Sequence, residues 1–177
     1  MEYLNPITAY NGLQTLLQQG GNVLYVIMLL AFAMFSFIME RFAYYFTAHK
    51  GTMKRLKAEW DGRTDRTSWR AMAIRDELIS QVKIKTGANV AIIKTLVAIA
   101  PLLGLLGTVT GMISVFDVMA LSGSSNARLM AEGVFKATIP TMAGMTVALP
   151  GLFFSNFIER KGFRETARFA DSLSIEQ

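Results

Sequence analysis

Residues 95–116 read TLVAIAPLLGLLGTVTGMISVF, twenty-two positions without a formal charge. At about 1.5 Å of rise per residue such a run reaches ~33 Å as a helix, enough to cross the hydrocarbon core of a bilayer. Two further runs behave alike: residues 23–39, extended past Glu40 and Arg41 to 46, and residues 137–158. A chain of 177 residues that is 52% hydrophobic fits a small integral membrane protein better than a soluble domain. The sequence therefore predicts an all-α fold with three transmembrane helices. Residues 1–20 carry one charge, Glu2, and no basic stretch ahead of the apolar run, so they do not read as a signal peptide. A short amphipathic helix over about 5–19, with Ile7, Tyr10, Leu13 and Leu17 on one side, is expected instead.

Basic residues set the direction. Lys50, Lys54, Arg55, Lys57, Arg63, Arg66, Arg70, Arg75, Lys83 and Lys85 lie between the first two runs, and Arg160, Lys161, Arg164 and Arg168 follow the third. Residues 1–22 contain none, and the segment between the second and third runs has Arg128, with Lys136 at its end. The positive-inside rule then places the N-terminus outside and the C-terminus inside. The segments are an outer N-terminal stretch (1–22), span one (23–46), a cytoplasmic helical loop (47–94), span two (95–116), an outer loop (117–136), span three (137–158) and a cytoplasmic tail (159–177). A helical apolar stripe over 67–85 predicts that span two extends inward as one long helix. The tail extends span three in the same way, and the loop breaks near Gly62. Glu59, Asp61, Asp65, Asp76 and Glu77 dilute the basic loop, so it reads as a topology determinant and not as a nucleic-acid surface.

Small residues recur in two of the spans. Span two carries Ala100, Gly104, Gly107, Gly111 and Ser114; span three carries Ala137, Thr141, Gly144, Ala148, Gly151 and Ser155. Spacings alternating four and three give a period of about 3.5, that of left-handed helix packing. Gly104, Gly107, Gly111, Gly144, Ala148 and Gly151 are the expected packing positions. Span one is bulky nearly all round and reads as peripheral, facing lipid. The seams suit either a ring of identical subunits or a compact bundle. Pro101, Pro140 and Pro150 predict local bends. The hydroxyls of Thr108 and Thr141 either bond back to a carbonyl of their own helix or line a lumen. No carboxylate lies deep in any span, and a threonine hydroxyl does not titrate near neutrality. If protons cross here, the titrating acid must come from a partner helix. The chain has no cysteine and a single histidine, His49, and shows no catalytic constellation, so neither an enzyme nor a bound cofactor is expected.

These features resemble a known family. The stretch APLLGLLGTVTGM at 100–112, AEGVFKATIPTMAGMTVALPGLFFSNF at 131–157 and the Glu40–Arg41 pair closing span one are similar to the ExbB/TolQ/MotA proton-channel family, and the compact length looks like an ExbB of a TonB system. The resemblance implies a homopentamer in the bacterial inner membrane whose second and third spans line a pore for protons. It also implies an ExbD-like single-span partner that brings the working aspartate, and a TonB-like transducer energised for outer-membrane transport. The family's pore threonines fall on Thr108 and Thr141. Two departures stand out: Lys136 occupies a position where the family usually has a glutamate, and Pro140 one where threonine is frequent. A lysine ring at the outer mouth would repel cations unless paired, for instance with Glu132. A TolQ-like subunit for envelope maintenance is the nearest alternative, and a non-conducting scaffold held by its glycine seams is the other.

Overall fold

A computed structural model describes residues 6–122 and 127–173. Among them the chain is all-helical: α1 (Pro6–Thr47), α2 (His49–Asp61), α3 (Trp69–Gly87), α4 (Val90–Ser122) and α5 (Ala127–Ser172). Three stretches are long and apolar enough to cross a membrane: Gly20–Thr47 in α1, Trp69–Leu121 across α3 and α4, and Met130–Ser172 in α5. The helical backbone of α1 starts at Pro6, but the side chains of Ile7, Tyr10, Leu13 and Leu17 lie outside those described. Gly21 interrupts α1 with φ 64° and ψ −167°, in a region that an L side chain rarely adopts.

The chain divides into two compact units. One combines α1 up to Met34 with Thr95–Gly151; the other combines Phe35–Lys94 with α5 from Leu152 onward. In the first unit α1 buries Leu24, Ile27, Leu30 and Met34 while Tyr25, Leu29 and Phe32 stay exposed. One stripe at helical spacing is a packed face, and the thioether of Met34 lies where a Cβ on Gly151 would be, 2.5 Å from it.

The second unit holds an aqueous-type core of Leu56 and Trp60 from α2, Ala71, Leu78 and Val82 from α3, and Phe169 and Leu173 at the end of α5. Gly62 follows α2 as its C-cap, where the break was expected. The Ser68 side chain accepts the Ala71 amide and starts α3. Asp65 in turn takes the Ser68 hydroxyl and the Ser68 and Thr67 amides, which hold its carboxyl below the ordinary value. The tail continues α5 unbroken to Ser172, as predicted.

One expectation fails. Span two is not one helix with α3: Ala88 (φ −56°, ψ 142°) and left-handed Asn89 (φ 61°) separate α3 from α4. Asparagine tolerates that conformation better than most residues. The freed end of α3 is capped by α1. Arg41 donates to the Lys85 carbonyl at 3.1 Å and Tyr45 to the Thr86 carbonyl at 3.3 Å, while Glu40 accepts from Asn89 at 3.0 Å. A guanidinium at a helix C-terminus meets both the orphan carbonyls and the negative end of the helix dipole. Within residues 117–136, α4 continues to Ser122 and α5 begins at Ala127.

Candidate functional site

The two seams of small residues meet face to face inside the first unit. A Cβ on Gly144 would lie 2.5 Å from the Ala100 carbonyl oxygen, and one on Gly104 2.9 Å from both the Pro140 oxygen and the Thr141 Cα. At Gly111 the neighbour is the Cβ of Ala137, at 2.7 Å. Backbone touches backbone here, which only glycine at these positions permits. Ala148 is buried on the same helix, 9% exposed. The pairing occurs within one chain. The seams thus join α4 to α5 directly.

Pro140, the departure from the family pattern, seats its ring against Gly107, with Val23 of α1 beside it. Its missing N–H leaves the Lys136 carbonyl without its usual helical partner, and the compact ring fills the notch that the glycine opens. Gly133 meets Val115 in the same manner. Gly107 was an expected packing position, but Pro140 as its partner was not foreseen, nor was Gly133, whose four-residue spacing from Ala137 would have flagged it.

The two threonines differ. Thr108, half-buried, donates to the Leu105 carbonyl of its own helix at 2.7 Å. Thr141 does not bond back. It reaches across the seam to the Gly104 carbonyl at 2.9 Å. In an α-helix that same carbonyl also accepts the amide of the residue four positions on, which is Thr108. One oxygen therefore links the two positions. Other hydroxyls of the two helices, Thr110, Ser114, Thr138, Thr146 and Ser155, each donate to carbonyls of their own helices. Spent on the backbone in this way, they leave a wall that is polar in composition but weakly polar toward its surroundings.

Charge is scarce in this wall. Spans two and three contain no carboxylate over residues 95–116 and 137–158. Lys136 pairs with Glu132 one turn earlier at 2.8 Å, so its charge is balanced within its own helix. In the second unit Lys94 meets both oxygens of Glu159 at 2.7 Å.

The model of the MotA/TolQ/ExbB proton channel family matches residues 38–171. The chain is also similar to curated relatives. It is 48% identical over 61 residues to an ExbB-like biopolymer transport protein of Synechocystis, covering 33% of this chain and 24% of that one. Biopolymer transport protein ExbB of Helicobacter pylori is 34% identical over 83 residues, 47% of this chain and 57% of the relative. That of Aquifex aeolicus is 33% identical over 82 residues, 46% and 55%. The matched part spans under three-fifths of each of these relatives.

Proposed function

Because this chain belongs to the MotA/TolQ/ExbB proton channel family and is a multi-pass membrane protein, we propose that it is an ExbB-type subunit that harnesses proton flow across the bacterial inner membrane. In this reading it assembles as a homopentamer, N-terminus outside and C-terminus inside, around an ExbD-like single-span partner, and energises a TonB-like transducer for outer-membrane transport. Protons are the transported species; the chain needs no cofactor and catalyses no covalent reaction. Thr108 and Thr141 line the path.

The observation that carries this reading is the pairing of a cross-seam hydroxyl with the absence of any acid in the wall. Thr141 fixes the Gly104 carbonyl, and Thr108 stands one turn away. Neither can store a proton. A wall of this kind orients and solvates, and leaves titration to a carboxylate brought by the partner. The Lys136–Glu132 pair supports the reading too, because a neutralised outer mouth does not repel cations.

Val in place of Thr keeps shape and removes the hydroxyl. Thr141→Val costs about 1 kcal/mol or less of stability, in line with hydrogen bonds between membrane helices. Energised uptake, read as partner-dependent import in cells lacking the native subunit, drops at least tenfold in Thr108→Val and Thr141→Val at unchanged assembly. Normal uptake in both variants would remove the pore role. Native mass spectrometry of the complex from its own membrane counts the subunits and identifies the partner, and so separates the ExbB-like from the TolQ-like role.

A further inference from the structure

We propose that the inner end of α1 and α5 forms a binding site for the headgroup and first acyl segment of an anionic phospholipid, with Lys161 as the phosphate ligand. The proposal rests on the membrane placement argued above. The second unit sets an aromatic strip along two helices that advance in step. Phe42 of α1 stacks on Phe157 of α5 with centroids 6.3 Å apart, and meets Phe154 edge-on at 5.9 Å. One turn further along both helices Phe42 gives way to Phe46 and Phe157 to Lys161. There the Lys161 ammonium lies 4.6 Å from the Tyr45 ring centroid and 5.9 Å from that of Phe46.

The strip is open to its surroundings, with Phe46 79% and Phe157 42% exposed. It therefore presents apolar surface capped by a cation, the layout of a lipid with its tail along the rings and its phosphate at the end. Residues 46 and 161 flank the ends of spans one and three, where headgroups lie.

Lys161 differs from three nearby cations. Arg41, Lys94 and Arg168 each meet a carboxylate: Glu40, Glu159 and Glu165. The acid one turn beyond Lys161 is that same Glu165, and it is engaged by His49 at 3.2 Å and Arg168 at 3.1 Å. Lys161 is held by ring faces, which attract a cation without neutralising it. Its charge remains available to a phosphate.

Purified wild-type protein in nanodiscs of mixed phosphatidylglycerol and phosphatidylcholine, analysed by native mass spectrometry, retains phosphatidylglycerol in excess. In Lys161→Gln that excess falls about fivefold, the effect of one basic residue at a membrane surface. Lys161→Arg keeps it, and Lys57→Gln, at an exposed position on α2, leaves it unchanged. Phe46→Ala, also on the surface, lowers retention of both lipids and decides the matter if Lys161→Gln fails to fold. An undiminished excess in Lys161→Gln, equal retention of the two lipids by the wild type, displacement by inorganic phosphate alone, or full displacement by a co-purified protein partner would each overturn the site. Lipid retention is read without proton flow or uptake, so its failure is distinct from failure of the transport role.

Discussion

Gly144→Leu abolishes the packed state of the first unit. The Ala100 carbonyl oxygen lies 2.5 Å from the Cβ position and the Gly104 Cα 3.3 Å from it. Both are backbone atoms, so no rotamer change relieves the clash and the helices must part. The expected loss is ~3 kcal/mol or more, at or beyond the upper end of the range for overpacked cores. The measurement is the folded fraction in detergent on heating, with membrane levels of the full chain as a second readout. Gly51→Ala is the matched control. Gly51 lies inside α2 with nothing within 4 Å of its Cβ position, so alanine there raises stability by about 0.5–1 kcal/mol. A Gly144→Leu protein as stable as wild type would mean that α4 and α5 do not meet at this seam.

Trp60→Ala has the second large effect, and it falls on the other unit. Trp60 is fully buried among Leu56, Ala71, Leu78, Val82, Phe169 and Leu173. Emptying so large a site costs about 3–5 kcal/mol. The core ties α2 and α3 to the last turn of α5, reinforced by Arg75, which donates to the Ala170 carbonyl at 2.9 Å. Loss of Trp60 therefore loosens the tail as well as the hairpin. Tryptic cleavage of folded protein at Arg70 and Arg75 rises by on the order of a hundredfold or more, following the enlarged open population. Unchanged cleavage would show that the tail and hairpin do not share a core.

The residues explain why some of this was legible in advance. Seams at 100, 104, 107 and 111 and at 137, 141, 144, 148 and 151 repeat at the packing period, and small side chains leave little choice about what they do. The helical tail and the break at Gly62 followed from ordinary periodicity and turn chemistry. The seams do not encode their partner, which is why a ring and a bundle were both open. The direction of the Thr141 hydroxyl was hidden for a related reason: a back-bond and a cross-bond differ by a rotamer, and the choice depends on how near the Gly104 carbonyl comes. The break before α4 was concealed because Asn89 changes the backbone by one residue's dihedrals without disturbing the apolar stripe. The pairing of Lys136 with Glu132, by contrast, needed only their spacing of four.

Pro140 in the notch at Gly107 has a mechanical meaning. A ring seated against a glycine acts as a key in a slot: axial slip of α5 along α4 would lift the ring from the Gly107 notch and break the bond from Thr141 to the Gly104 carbonyl. With the Thr141–Gly104 bond beside it, the paired stretches of α4 and α5 form a single stave of fixed register. Work done through such a stave is transmitted by tilting or rotating it whole, and any sliding must occur against a surface other than the one these two helices share.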